Sequence, residues 1–378
     1  MQDIGKYNIL IAAGGTGGHI FPAEALAEML TERGHRVFFA TDVRGLKFAE
    51  NFPAIEVKCI AGATVFSKSP WSLFKALFKI SHGIWQSLGY IRKRQINIVV
   101  GFGGYPSFAP LFAGKLLAKP SILHEQNAVL GRANKWLAKF AKQVALSFPN
   151  TKFTDDIKYK TTFIGNPLRG MVRQLKATPY LAYEPNTDNK PEQKFNLVVF
   201  GGSQGASVFS DILPAAMKLL PADVRAEINL VQQVRQIEVA DVKARYKQLN
   251  VQAEVAPFFN DMPQIIANSH LVIGRAGATT VAELCYIGRP SLLVPLPGAL
   301  DADQANNAQN IVDVKGGWLC PQPAFTADYL ATALLNWIRS PDILAQAAKN
   351  AKKLGQPDAA LNLAKLVEKY SVDKRQSR

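Results

Sequence analysis

Cysteine is scarce in this 378-residue chain: Cys59, Cys285 and Cys320 lie far apart and at no metal-ligand spacing. That excludes a disulfide framework and makes reduced, cytosolic thiols the economical reading. Long hydrophobic runs are missing as well. No stretch of eighteen uninterrupted apolar residues occurs, so no bilayer-spanning helix is expected. The N-terminus lacks a basic start, an extended apolar core and a small-residue cleavage site. Met1–Lys6 leads straight into the strand-like Asn8-Ile9-Leu10-Ile11-Ala12-Ala13, and no signal peptide is expected. Acidic residues are also few, 29 Asp and Glu against 44 Lys and Arg, for a formal charge of +15. Much of the imbalance is local. Between residues 68 and 142 stand Lys68, Lys75, Lys79, Arg92, Lys93, Arg94, Lys115, Lys119, Arg132, Lys135, Lys139 and Lys142, opposed by Glu125 alone. So local a field implies an anionic partner, either nucleic acid or an anionic membrane face.

What is present is an alternation. Short β-branched or aliphatic runs at 8–13, 36–40, 55–60, 97–101, 120–124, 143–147 and 161–164 are separated by longer amphipathic segments. The pattern repeats at 196–200, 227–231, 251–255, 270–274 and 291–294. It predicts βαβ units, parallel sheets and helices on both faces, an α/β fold. The length favours two domains. A proline-bearing segment of little periodicity, 177–195, lies between them. The expected organisation is two doubly wound, Rossmann-like domains facing across a cleft. The first spans 1–165, a hinge 166–195, the second 196–340, and C-terminal helices 341–378 that are candidates to return to the first domain.

Glycine turns follow several of these strands. Gly14-Gly15-Thr16-Gly17-Gly18-His19 precedes a helix expected from near Pro22, and its glycines allow close backbone approach to an anion. It is neither a dinucleotide fingerprint nor a P-loop. Gly101-Phe102-Gly103-Gly104-Tyr105-Pro106 and Gly201-Gly202-Ser203-Gln204-Gly205-Ala206 follow two further strands. Such turns at the carboxyl ends of strands lie where open α/β sheets bind ligands. Gly277-Ala278-Thr279-Thr280-Val281-Ala282-Glu283 opens another helix. There Thr279 or Thr280 is a candidate cap, helical N–H groups can face a diphosphate, and Glu283 can accept from ribose hydroxyls; a Thr280–Glu283 capping box is the bland alternative. Asp301-Ala302-Asp303-Gln304-Ala305-Asn306-Asn307 starts a helix whose amides and carboxylates suit sugar hydroxyls. Asp301 and Asp303 mimic a metal-binding D-x-D but are read as sugar contacts or helix N-terminal charge, with no metal or cofactor expected. His124-Glu125-Gln126-Asn127 puts four polar groups at the end of an apolar strand, which favours a site. With His19, these residues supply candidates for removing a hydroxyl proton.

The charge is interpreted through the segment Trp71–Lys93. At helical spacing Trp71, Phe74, Phe78 and Trp85 form one narrow stripe, with Lys75, Lys79 and Lys93 beyond it. Leu73, Leu77, Ile80, Ile84, Leu88 and Ile91 form a neighbouring stripe suited to packing on a sheet. The aromatic stripe reads as a membrane-dipping patch rimmed by lysines, the alternative being a wide core-facing helix. No nucleic-acid motif accompanies the charge, so nucleic acid is not the expected partner.

Gly14–His19, Gly101–Tyr105, His124–Asn127, Gly165-Asn166-Pro167-Leu168-Arg169, Gly201–Ala206, Gly277–Glu283 and Gln304–Asn307, taken in this order, resemble the MurG family of bacterial transferases. The resemblance implies a GT-B fold. It also implies inverting transfer of N-acetylglucosamine from UDP-GlcNAc to the 4-hydroxyl of undecaprenyl-diphosphate-MurNAc-pentapeptide, at the cytoplasmic face of an anionic membrane surface. The acceptor would be held by the first domain, with Gly103, Gly104 and Tyr105 on that side, and the donor by the second. Thr16, Gly17, Gly18 and Asn127 would meet the donor across the cleft. Arg169 and Ser203 would hold nucleotide and phosphates, the Phe259 backbone would face uracil, and Ala278, Thr279, Thr280, Val281, Ala282 and Glu283 would cradle diphosphate and ribose. Gln304 and Asn307 would read the sugar. Phe259 stands where some relatives are aliphatic and Asp303 where some have a second glutamine, which leaves the sugar-hydroxyl contacts open. His19 is the expected base, with His124 and Glu125 as rivals. Competing readings are a UDP-GlcNAc epimerase, a transferase acting on diacylglycerol and a noncatalytic nucleotide-sugar or membrane-binding scaffold.

Overall fold

The computed structural model describes residues 6–48, 50–62, 70–184, 193–202, 205–298 and 301–372. Its strands form two separate, entirely parallel sheets. The first contains β1 (Asn8–Ala12), β2 (Arg36–Thr41), β3 (Glu56–Cys59), β4 (Ile98–Gly101), β5 (Ser121–Glu125), β6 (Gln143–Leu146) and β7 (Thr161–Phe163), in the order β3-β2-β1-β4-β5-β6-β7. The second contains β8 (Phe195–Phe200), β9 (Ile228–Gln233), β10 (Gln252–Ala256), β11 (Leu271–Gly274), β12 (Ser291–Leu293) and β13 (Gly317–Leu319), in the order β10-β9-β8-β11-β12-β13. The central strands are covered on both faces, which is why β1 and β4 read as unbroken apolar runs rather than alternating ones. Strand order reverses between β1 and β4 and again between β8 and β11. The loops leaving these two pairs are the crevices where open sheets take ligands.

The chain forms two compact units, 1–170 with 356–378 and 171–355. These boundaries differ from the expected ones at both ends of the second unit. Short helical turns at Gly170–Arg173 and Gln174–Ala177 occupy the start of the anticipated hinge, and Tyr286 donates to the Arg173 carbonyl at 2.9 Å. The two C-terminal helices also part company. Pro341–Lys352 packs on the helix Ala278–Ile287 in the second unit, whereas Ala359–Ser371 packs on helix α1 (Gly17–Glu32) in the first.

That last helix is held by apolar burial and one charged cluster. Leu363, Ala364 and Val367 are buried in one cluster with Ile20, Ala23, Leu26 and Ala27. Full burial of Leu363 and Val367 contributes roughly 1.5–3 kcal/mol apiece. At the rim Glu368 accepts from Arg33 Nε at 2.6 Å, Arg33 Nη2 at 2.9 Å and His35 Nε2 at 2.9 Å.

Candidate active site

Both switch-point strands of the first sheet end in glycine turns that pack on one another. Phe102 N–H donates to the Ala12 carbonyl at 2.9 Å, and Ser107 Oγ lies 2.8 Å from both the Ala12 and Gly103 carbonyls. Gly14 is required by contact, since a Cβ there would sit 2.5 Å from Pro106 Cγ. Gly103 is required twice over: its φ is +87°, and a Cβ would press on the Asn134 amide at 3.0 Å. Asp42 ties down the first turn, accepting from Gly15 N–H at 3.3 Å, Gly45 N–H at 3.0 Å and Arg44 Nε at 2.9 Å. The Arg44 guanidinium also lies 5.8 Å from the centre of the Tyr105 ring. Helix α1 starts at Gly17, five residues before the expected Pro22, with Thr16 as its extended N-cap. Thr16 and Gly18 are thereby exposed at a helix N-terminus, and His19 is half-buried in its first turn.

Strand β5 delivers the polar cluster beside this turn. His124 is fully buried, its Nε2 3.3 Å from the Gly165 carbonyl and 3.4 Å from Ser147 Oγ. Its Nδ1 is 3.0 Å from Gln126 Nε2. The Gln126 amide oxygen in turn lies 3.0 Å from His19 Nδ1. Burial pulls His124 down to about 4. Glu125 is buried too, and its carboxylate accepts four hydrogen bonds. They come from Asn127 N–H (2.9 Å), Asn127 Nδ2 (3.3 Å), Gly131 N–H (3.0 Å) and Asn134 Nδ2 (2.7 Å). Burial pushes its carboxyl above the usual range, opposed by the Gly131 and Asn127 N–H groups, the Asn134 amide and the His19 charge. These surroundings correct the standing of the two rival bases. His124 engages both ring nitrogens within the protein, and Glu125 spends both oxygens anchoring the loop 126–131. Neither presents a free lone pair to a substrate hydroxyl.

Arg169 falls in the first unit, its guanidinium 4.0 Å from the centre of the Phe21 ring on α1. Its Nε is buried with no hydrogen-bond partner, as are both amide atoms of Asn166. A group of polar atoms left this way marks a place built for a ligand or ordered water.

The second unit presents a different set. Gly201 permits a tight turn, because a Cβ there would lie 2.3 Å from Ala206 N; Ser203 lies outside the described residues. The helix Ala278–Ile287 is capped by Gly277, with Thr279 and Thr280 inside its first turn. The expected threonine cap, and with it the Thr280–Glu283 capping box, is therefore displaced. The helix begins three residues earlier than that box requires, and the Thr279 hydroxyl is buried with no partner. Val281 is buried, while Ala282 and Glu283 are partly exposed. Gln304 Oε1 accepts from Leu296 N–H at 2.9 Å, and fully buried Asn307 donates to the Ala276 carbonyl at 3.1 Å. Both amides thus brace loops at the sheet's end. Phe259 has its side chain buried beside exposed Phe258. Among the described residues no group of three or more His, Cys, Asp or Glu side chains is arranged to hold a metal ion.

Helix α2 (Pro70–Lys93) carries the aromatic stripe on its open side, with Trp71, Phe74, Phe78 and Trp85 respectively 66, 61, 68 and 72% exposed. Lys75 and Lys79 are exposed beside them, with Lys75 Nζ 5.4 Å from the Trp71 ring. Leu77, expected to pack on the sheet, is instead 51% exposed and joins the patch. The side chain of Leu73 lies outside what is described. The buried face runs through Ala76, Gly83, Ser87, Tyr90 and Ile91, because the helix passes so close to the Ala61 carbonyl that a Cβ on Gly83 would sit 2.0 Å from it. No helix among the described residues is long and apolar enough to cross a membrane.

Two doubly wound parallel sheets, each with glycine turns and a helix start at its switch point, make up the GT-B fold, and with the domain matches that follow the class is that of the glycosyltransferases. The sequence agrees domain by domain: residues 9–146 match the glycosyltransferase family 28 N-terminal domain and residues 196–363 its C-terminal domain. More narrowly, the chain belongs to the MurG family. It is 45% identical over 361 residues to the UDP-N-acetylglucosamine--N-acetylmuramyl-(pentapeptide) pyrophosphoryl-undecaprenol N-acetylglucosamine transferase of Chelativorans sp., covering 95% of this chain and 94% of that one. It is 44% identical over 367 residues to the Rhizobium etli protein of the same name, covering 97% and 96%. The crystal structure of Acinetobacter baumannii MurG superposes with a TM-score of 0.75 at 28% identity, over 96% of this chain and 99% of that one. A putative UDP-N-acetylglucosamine 2-epimerase from Listeria monocytogenes, at 14% identity and a TM-score of 0.65 over 95% of each chain, shares the fold alone.

Two residues that organise this site, Asn134 and Asp42, are absent from the sequence-based candidates, and a third, Gln126, is there only as part of the polar run 124–127. Asn134 was recoverable as a lone buried amide on an otherwise apolar helix face. Asp42 had the signal of an acid closing the second strand beside a glycine turn. The pairing of Gln126 with His19 had no signal, for the two lie 107 residues apart.

Proposed function

We propose that this protein transfers N-acetylglucosamine from UDP-GlcNAc, with inversion, to the 4-hydroxyl of undecaprenyl-diphosphate-MurNAc-pentapeptide, forming lipid II for peptidoglycan synthesis. The observation that carries this reading is the 45% identity to transferases of that name through 95% of the chain, both units included. The acceptor's C4 oxygen attacks the anomeric carbon, the bond from that carbon to the β-phosphate oxygen breaks, and UDP leaves with the electron pair. The hydroxyl proton passes to His19, which stands in the first turn of α1 beside two glycine turns. Gly103, Gly104 and Tyr105 serve the acceptor, and Thr16, Gly17, Gly18 and Asn127 the donor sugar's side. Ser203 and Arg169 hold nucleotide and phosphates, and the N-terminus of the helix Ala278–Ile287 meets the developing phosphate charge. The Phe259 backbone faces uracil, Glu283 takes the ribose, and Gln304 and Asn307 take the sugar.

The protein works as a peripheral enzyme at the cytoplasmic face of the membrane. Four exposed aromatics with lysines beside them on α2 support that placement, since such a face gains by entering the headgroup region of an anionic bilayer. The test is release of UDP from UDP-GlcNAc by purified protein with and without a short-chain lipid-diphosphate-muramoyl-pentapeptide. Acceptor-dependent release with a new β-linked disaccharide is the expected result. Clear binding of UDP-GlcNAc without turnover on that acceptor would overturn it.

A further inference from the structure

We infer that Gln126 is a positioning residue that sets the tautomer of His19, placing its proton on Nδ1 and leaving the lone pair on Nε2. The inference rests on the reading of His19 as base for its consequence in catalysis, but not for its geometry.

The chain of hydrogen bonds has a fixed direction because it starts at a group that can only accept. The Gly165 carbonyl, which can only accept, lies 3.3 Å from His124 Nε2, and the Ser147 hydroxyl, which can accept as well as donate, lies 3.4 Å from it; a hydrogen on that nitrogen is the assignment that satisfies both. His124 is fully buried and neutral, with one ring proton to place, so its Nδ1 is left as an acceptor. Gln126 must then turn its NH2 toward that nitrogen, at 3.0 Å. Gln126 Nε2 also donates to the His124 backbone carbonyl at 3.2 Å, a second partner that can only accept. Flipping the amide would set its oxygen against two acceptors at once inside the core, a buried mismatch of the kind proteins avoid. With the NH2 committed, Oε1 faces His19 Nδ1 at 3.0 Å and requires a hydrogen there. The remaining ring nitrogen, Nε2, is the one that can accept a proton.

This matters because an imidazole free in water prefers the opposite arrangement, with its proton on Nε2. Left to itself His19 would present a donor where the proposed reaction needs a base. Gln126 reverses that preference with a neutral acceptor. Glu125, whose carboxylate feels the His19 charge, is committed to its own four donors. Gly104 borders that edge of the ring, an added Cβ there standing 3.7 Å from His19 Cδ2, the carbon bonded to Nε2.

The experiment is nitrogen NMR of the full-length protein with labelled histidine at a pH where His19 is neutral; five histidines keep the spectrum sparse. In the native protein the His19 signal, assigned by its loss in His19→Ala, should show a protonated Nδ1 and a pyridine-like Nε2. In Gln126→Leu the proton should move to Nε2, with kcat falling roughly 10- to 100-fold and KM for both substrates nearly unchanged. Gln126→Glu retains an acceptor toward His19 and should keep the Nδ1 proton and part of kcat, with a lower unfolding midpoint because its second oxygen replaces the NH2 that faces His124 Nδ1 and the His124 carbonyl. A native His19 already protonated on Nε2, or an unchanged tautomer in Gln126→Leu, would overturn the assignment. The native spectrum decides the point even if Gln126→Leu does not fold. Full turnover by His19→Ala would remove the base reading alone and leave the tautomer assignment standing.

Discussion

The two units repeat one strand order and put different chemistry at the end of it. In the first, the strand two places from the switch point, β5, ends in His124 and Glu125 and feeds a buried polar network reaching His19. Its counterpart in the second sheet, β12, ends in Leu292 and Leu293 and runs on into buried Val294. There the described turns are glycines and a helix start, groups that offer N–H donors. On the proposed reading, one scaffold moves the proton and the other receives the anion. The fold alone does not distinguish them; a few side chains at equivalent strand ends do.

The sharpest way to break this division is at His19. If proton removal belongs to the first unit, His19→Ala should lower kcat by roughly 10²- to 10⁴-fold while UDP-GlcNAc binding, measured by calorimetry, stays within about twofold. Comparable losses in kcat and donor affinity would mean the division is wrong. Membrane attachment, also assigned to the first unit, comes next. Phe78 and Trp85 are largely exposed, so replacing both by Ser should leave folding intact. It should weaken partition onto anionic vesicles at least roughly tenfold, each aromatic contributing about 1.5–3 kcal/mol when buried. Unchanged flotation with vesicles would take α2 out of the membrane.

On the second unit, Thr279→Val removes a buried hydroxyl that has no partner in the protein. If that hydroxyl meets a phosphate oxygen, donor affinity should fall roughly tenfold, the lower end of about 1.5–3 kcal/mol for a hydrogen bond to a charged group. The unfolding midpoint should hold or rise, because an orphan hydroxyl costs stability. Unaltered donor affinity would instead make Thr279 a packing residue.

What the sequence disclosed, and what it hid, follows the same physics. Twelve strands stood out as short β-branched runs between amphipathic segments. β13, three residues beginning with glycine, did not, for it owes its existence to pairing with β12 rather than to its own pattern. Glycine turns were visible as composition, but their helix starts were misplaced at both Pro22 and Thr280. In each case a glycine that local rules assign to a loop belongs to the cap or first turn of the helix. The outer stripe of α2 could be read from its aromatics. Its inner face could not, because Ala76, Gly83 and Ser87 are buried for their small size, and a hydrophobicity ranking gave that place to Leu77. The relay from Gly165 through His124 and Gln126 to His19 joins four distant points, and no periodicity reports such a meeting.

The smallest expected effect concerns a histidine of the second unit that titrates without taking part in the chemistry. His270 is buried against Phe195 and Tyr183, its Nδ1 accepts from Asn196 N–H at 2.8 Å, and burial, aided by the Arg289 charge, pulls it from 6.5 to about 4. Between those values the unfolded chain binds a proton that the folded protein refuses. Stability is therefore whole above pH 6.5 and declines as pH falls toward 4. The loss from pH 6.5 to 5.5 should be about 1 kcal/mol from this group. His270→Asn puts an amide oxygen where Nδ1 stood and removes the titration. It should lower stability at every pH through the lost ring stacking, yet flatten the slope across that interval by the same amount. Tryptophan fluorescence can follow the second unit selectively. Trp337 is buried there against Trp318, while Trp71, Trp85 and Trp136 of the first unit are already largely exposed and shift little on unfolding. An identical slope in His270→Asn would mean that His270 binds its proton equally in the folded and unfolded protein, and that the acid sensitivity of the second unit arises elsewhere.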